Sequence, residues 1–159
     1  MRAVKTITTI FTLLLMLAPA LSKAQACHNF HRKNCNPSNN AYFEYNGQSK
    51  SALFKKGQTS ELNIIIYKGQ DYRVSVCTEP ELGNKVEFRL KDSKSGDVLY
   101  DNADADYDQE FEFTCSYSRR IVLEVTVPDG ETKDKKLKPR EMACIGVLVE
   151  HMTTPNSGF

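Results

Sequence analysis

The chain has no tryptophan and only three histidines among its 159 residues. It also lacks the short motifs that mark the common catalytic folds. No Gly-x-Ser-x-Gly elbow, His-Glu-x-x-His pair, phosphate-cradling glycine loop or Cys-x-x-Cys occurs, which removes the usual serine hydrolase, zinc protease, nucleotide-binding and thioredoxin-like readings. Beyond residue 26 no apolar run approaches the about 20 residues a membrane helix needs. No stretch there shows apolar residues at i, i+3, i+4 and i+7, so helices are not expected to build the core. An excess of basic charge is missing too, and with it the electrostatic footprint of nucleic-acid binding.

What is present begins with an export signal. Arg2 and Lys5 precede an uncharged stretch, Thr6 to Ser22, and Ala24-Gln25-Ala26 offers small residues where a signal peptidase reads. Residues 1–26 are therefore expected to be a cleaved signal peptide that leaves Cys27 first in the mature chain. Pro19, the threonines and the shortness of the run argue against a retained anchor. Acylation of Cys27 would need Leu and a small residue before the cut, where Ala24 and Gln25 stand, so membrane attachment is expected only if Cys27 is lipidated after all. Losing Arg2, Lys5 and Lys23 takes the 21 bases to 18 against 20 acids. The remaining residues suit one domain with a substantial core. The expected layout is a disulfide-closed N-terminal loop at 27–40, a β-sandwich at 41–152 and a tail at 153–159.

Strand signals fill the centre. In ELNIIIYKGQDYRVSVC, Glu61 to Cys77, two alternating runs flank Lys68-Gly69-Gln70-Asp71, which predicts a β-hairpin. Ile65 puts an apolar side chain on the nominally polar face, so the first arm is expected to be covered on both sides and the second to have one wet face. KVEFRL and DVLYD around Asp92 to Asp97 predict a second hairpin, and QEFEFTC with IVLEVTV a third. The fold class expected is all-β: a single antiparallel sandwich, jelly-roll-like, of eight or nine strands.

Export makes the five cysteines candidates for disulfides. Cys27 and Cys35 bracket a short polar loop and are paired first. Cys77 ends the second hairpin arm and Cys144 opens the last strong strand, so these two form the second expected pair. Cys115, beside Phe111 and Phe113, reads as a buried thiol. His28 and His31 lie between Cys27 and Cys35, but the spacing is poor for zinc, because adjacent ligands seldom reach one ion. Tyr42, Phe43, Tyr45 and Phe54 read as the edge of a core rather than a sugar-stacking platform. Asp104, Asp106 and Asp108 imitate the start of a calcium loop, but Gln109 stands where the turn wants glycine. They are carried as a weak calcium candidate against a solvated acidic turn. The basic stretch Lys133 to Arg140 reads as a surface loop, and Pro155 and Gly158 deny the terminal Phe159 the strand of an outer-membrane barrel. His151, near the end of the last strand, reads as structural.

From KSALFKKGQTSEL through YKGQDYRVSVC, an Asp-rich connection and RRIVLEVTV, about Lys50 to Val127, the strand order resembles small exported β-sandwich modules of Gram-negative bacteria, among them the pre-peptidase C-terminal type. That resemblance implies a jelly-roll-like accessory domain, in some members with calcium or polysaccharide affinity, and assigns no residue by position. The expected function is a non-catalytic exported module, periplasmic, at the cell surface or secreted, that engages an envelope protein or a glycan without a cofactor, a catalytic group or a resident metal. The alternative is a small secreted enzyme whose site gathers around His151 and the acidic loop, a reading that requires those groups to converge in one cleft.

Overall fold

The computed structural model describes residues 27–83, 85–129 and 142–155. The expected signal peptide, the basic stretch Lys133 to Arg140 and the last residues of the tail lie outside them. Nine strands occur among the described residues: β1 (Glu44–Tyr45), β2 (Lys50–Lys55), β3 (Thr59–Ile66), β4 (Gln70–Thr78), β5 (Glu87–Asp92), β6 (Val98–Asp101), β7 (Glu110–Thr114), β8 (Arg119–Thr126) and β9 (Met142–Thr153). One sheet runs β1-β9-β4-β7, with β2 also on β9; the other runs β3-β8-β5-β6. The antiparallel pairs β2–β9, β3–β8, β4–β7 and β5–β6 are those of one long double ribbon closed at the β5–β6 turn. Rolling that ribbon sets β4 against β9 and β5 against β8, and the result is a jelly-roll sandwich.

Alternation supplies the core. Ile64 and Ile66 of β3, Ile121, Leu123 and Val125 of β8, and Phe88 and Leu90 of β5 meet Tyr72, Val74 and Val76 of β4 and Ala143, Ile145, Val147 and Val149 of β9 in one buried cluster. Phe111 and Phe113 of β7 pack against it from the edge. The expected hairpin at β5–β6 forms, but the other two do not. β3 pairs with β8 in one sheet while β4 pairs with β7 and β9 in the other, so Glu61 to Cys77 turns a corner of the roll; β7 to β8 turns the corner beside it. Gly69 N donates to Cys115 O at 3.0 Å and Cys115 N to Gln70 O at 2.9 Å, which fastens the two corners together. Gly69, at φ 79°, serves this corner as it would serve a hairpin turn.

The two faces expected for these strands are also exchanged. Ile65 is 43% exposed on the outer face of β3. The outer face of β4 is dry instead, with Arg73 and Ser75 buried together with Leu148 and Glu150 of β9. The cover is the N-terminal segment, which contains a short helix, α1 (Phe30–Asn34), docked on β9 and β4. Under it, the Arg73 guanidinium bonds Glu150 and Glu110 at 2.6 Å each, approaches Glu112 at 3.5 Å and donates to Asn36 O at 2.9 Å. Ser38 N donates to both Glu150 oxygens.

Cys27, Cys35, Cys77 and Cys144 form two disulfides, with partners other than those expected. Cys27 joins Cys144 and Cys35 joins Cys77, at Cα separations of 5.4 and 5.0 Å. Cys77 and Cys144 do share the outer face of neighbouring strands, but the residue opposite Cys77 is Gly146. That makes the cysteines a diagonal pair, about 7–8 Å apart, beyond the usual reach of a disulfide. Cys27 and Cys35 are held apart by the helical turn between them. The segment 27–40 is thus a strap stapled flat across the sheet rather than a loop closed on itself. Cys115 is a buried free thiol, and burial foremost raises its pKa.

Gly146 is what lets the strap lie down. A Cβ there would meet His31 Cα at 2.7 Å, Cys77 Sγ at 2.8 Å and His31 N at 2.9 Å, and backbone pinned by two disulfides cannot easily retreat. Gly146→Ala should cost about 1–3 kcal/mol. Urea unfolding checks this, and a midpoint equal to wild type would mean that the strap does not sit on β9.

Candidate binding surface

One end of the sandwich gathers the β3–β4 and β7–β8 corners. Lys68 N donates to Ser118 Oγ at 2.9 Å, which puts Tyr67 and Tyr117 on adjoining corners, 54% and 58% exposed. Ile65 stands opposite Arg120 on the adjoining strand ends. The Arg119 guanidinium lies over the Tyr117 ring at 4.6 Å and donates to the Tyr117 hydroxyl and to Asp92 Oδ2, at 2.9 Å each. Backbone donors from Ser95 and Lys94 foremost, then Arg119, hold the Asp92 carboxyl below its ordinary range. Gln48 plugs the β3 edge: its side-chain oxygen accepts from Ile65 N at 2.7 Å and its amide donates to Ile65 O at 3.0 Å. An edge capped in this way is closed to a further strand at that point, so recognition at this end falls to side chains.

Around the same β1–β2 loop lies a cleft of about 350 Å³ lined by Cys27, His28, Asn29, His31, Tyr45, Gly47, Ser49, Lys50 and Ser51. His31 is buried at its back. Its own backbone N–H donates to Ser51 Oγ at 2.8 Å, and its Nδ1 lies 2.7 Å from the same oxygen. Its Nε2 lies 3.2 Å from the Tyr45 oxygen, so the ring bridges the Ser51 and Tyr45 hydroxyls. Arg32 lies over the Tyr45 ring at 4.0 Å.

Burial foremost, then the charges of Arg32, Lys50 and His28, hold the His31 pKa below its ordinary 6.5. The unfolded chain accordingly takes up a proton that the folded chain resists, and stability falls as pH drops below about 6.5 until folded His31 itself titrates. The lowered carboxyls of Asp92 and Asp101 act only below their ordinary 3.8. A decline in the urea midpoint between about pH 6.5 and 5.5 is the expected result, absent in His31→Gln. A flat wild-type profile in that window would contradict it.

The groups required by the enzymatic alternative stand apart. His151 is opposite Tyr72 at the start of β4 and stacks on it at 6.2 Å. The acidic turn meets the far end of the same strand, where Val76 N donates to Gln109 O. Four residues of strand, about 13 Å, separate those points. Glu44 is the register partner of His151, yet His151 Nδ1 is buried without a hydrogen-bond partner, so no carboxylate orients the ring through that nitrogen. Asp104 lies in a 3-10 turn, Asp106 has φ 57° and Asp108 accepts from Glu110 N at 3.1 Å. Among the described residues no group of three His, Cys, Asp or Glu side chains is placed to share a metal ion. The zinc set loses Cys27 and Cys35 to disulfides.

Sequence reasoning named none of Tyr67, Tyr117, Lys50 or Ser51 as site residues, because their neighbours come from strands distant in the chain. Among the described residues no helix is long and apolar enough to cross a membrane. Two disulfides, spanning 117 and 42 residues, belong to an oxidising compartment and an exported protein.

No protein-family model matches the chain, the pre-peptidase C-terminal type included, and no curated protein matches it. Among solved structures, the crystal structure of Aeromonas hydrophila PliG, a periplasmic lysozyme inhibitor of g-type lysozyme, is similar at 12% identity and a TM-score of 0.48, over 74% of this chain and 92% of that one.

Proposed function

We propose that this chain is an exported, non-catalytic binding module that docks an acidic face of another envelope protein onto the sandwich end formed by Ile65, Tyr67, Lys68, Tyr117, Arg119 and Arg120. The observation that carries it is the exposure of both Tyr67 and Tyr117 on two corners tied together by hydrogen bonds. Tyrosine and arginine dominate the energetic centres of protein interfaces, and rigid corners limit the ordering entropy lost on docking. Charge sets the partner's chemistry. Lys68 and Arg120 have no ion-pair partner among the described residues, whereas Arg73, Arg89, Lys91 and Arg119 each have at least one. Acidic side chains on the partner would complete them.

The test is quantitative capture from native envelope material with the full mature chain, comparing wild type with Tyr67→Ser/Tyr117→Ser, Arg120→Glu and, as a control at the opposite end, Asp104→Asn. The expected result is a single protein retained by wild type and by the control, released by raised salt, and bound at least about tenfold more weakly by each corner variant. A partner held equally by the corner variants, capture of a glycan alone, or no capture would each refute this surface.

A further inference from the structure

The cleft beneath the strap combines features that the protein-docking surface does not use. Its rim carries Lys50 and His28, with Arg32 stacked on the neighbouring Tyr45, and no carboxylate side chain belongs to its lining. Elsewhere Arg73 is neutralised by three glutamates, Arg89 and Lys91 by Asp101, Glu87 and Glu124, and Arg119 by Asp92. Arg32 and Lys50 have no carboxylate within 4.0 Å among the described residues. Their positive field is also felt by His31, whose proton they repel. A concave site with Lys50 in its lining, Arg32 over the ring of its Tyr45 and no carboxylate is arranged to receive an anion.

The hydrogen bonds around His31 give the site a second element of recognition. Ser51 Oγ takes up both the His31 backbone N–H and Nδ1, and Nε2 lies 3.2 Å from the Tyr45 hydroxyl, which keeps hydrogen-bonding capacity for a ligand beside its one bond to His31. Tyr45 is 41% exposed and stacks parallel to His31, with 12° between the ring planes. A hydroxyl on an aromatic body suits a ligand with both hydroxyls and apolar ring faces. The volume, about 350 Å³, lies at the small end of the range for small-molecule sites, roughly 300–1,000 Å³, which suits one or two sugar rings rather than a polymer laid lengthwise.

We infer that this cleft is a binding site for an anionic sugar, its carboxylate or phosphate held by Lys50, Arg32 and His28 and a ring hydroxyl held by Tyr45. The site requires the strap, because the strap supplies His28 from the turn before α1 and His31 and Arg32 from α1, while β1 and β2 supply Tyr45, Lys50 and Ser51. Binding there is therefore lost when the strap's disulfides are reduced. It does not depend on the Tyr67 and Tyr117 corner, and either surface can fail its test without the other.

Amide-shift titration of the oxidised mature chain by NMR tests the inference with four probes: glucuronic acid, glucose 6-phosphate, inorganic phosphate and neutral glucose. Saturable shifts at Tyr45, Gly47 and Lys50 are expected with one or both sugar anions, with the stronger of the two identifying a uronate or a sugar-phosphate source. Glucose should bind at least tenfold more weakly. Arg32→Glu/Lys50→Glu, exchanging exposed charges, should weaken the sugar anion at least tenfold while leaving the unfolding midpoint near wild type, and Tyr45→Phe should weaken it without altering phosphate. Shifts that do not saturate, survive the charge reversal or occur equally with glucose would overturn the site. Inorganic phosphate binding as tightly as either sugar anion would overturn its sugar specificity.

Discussion

Replacing Cys27 and Cys144 together by alanine should lower the free energy of unfolding by about 5 kcal/mol, and replacing Cys35 and Cys77 by about 4 kcal/mol, on the chain-entropy estimate for loops of these lengths. The order follows from sequence separations of 117 and 42, since closure entropy grows with the logarithm of loop length. Each variant keeps one staple, so the strap stays attached and the sandwich remains the folded state being measured. Urea unfolding without reductant gives the two values. Non-reducing peptide mapping gives the connectivity, and recovery of a Cys27–Cys35 peptide would overturn both the pairing and the strap. Labelling the unreduced protein after denaturation should modify Cys115 alone, because its buried thiol has no sulfur partner in the fold.

The strap also marks the limit of what the sequence made legible. Alternation identified the strands and their inward residues, because period-two burial is written locally in runs such as Ile121, Leu123 and Val125. It also identified β5–β6, where the turn joins strands that truly pair. It could not separate a hairpin from a corner. Both need two alternating runs and a turn glycine such as Gly69, and only pairing with β8 on one side and β9 on the other decides between them. The wet-looking face of β4 was misjudged for a related reason: Arg73 and Ser75 are polar because their cover is polar, the backbone of residues 36–38 and the carboxylate of Glu150. One signal of that cover was present and unused. Gly146 interrupts an otherwise apolar strand, and an isolated glycine there marks the close approach of another backbone. The exposure of both Tyr67 and Tyr117 left no such trace, since it arises from two corners 50 residues apart in the chain.

Arg73→Met should destabilise the protein by about 3–5 kcal/mol, the range for removing one partner of a buried ion pair. Burial by itself disfavours the guanidinium charge, yet the bonds from Glu110 and Glu150 raise its pKa above the ordinary value, so the fold holds this cation by surrounding it with acids. The side chains of Arg73 and Glu150 are only 4% and 7% exposed. Glu110 and Glu112, at 43% and 58%, keep contact with solvent and can be rehydrated when the arginine is lost. Glu150 cannot, because the strap lies over it with the Ser38 N–H as its remaining described donor. The cost of Arg73→Met should therefore reside mainly in an unpaired Glu150 carboxylate rather than in lost attraction. This separates the prediction from a simple packing defect. Adding Glu150→Gln removes the stranded charge while its amide oxygen still accepts from Ser38, so the double variant should be more stable than Arg73→Met alone, although Glu150→Gln by itself should destabilise wild type. A double-mutant cycle by urea unfolding measures that reversal of sign. If Glu150→Gln costs as much in the Arg73→Met background as in wild type, the two side chains are not coupled, and the strap is held by its disulfides without help from the ions beneath it.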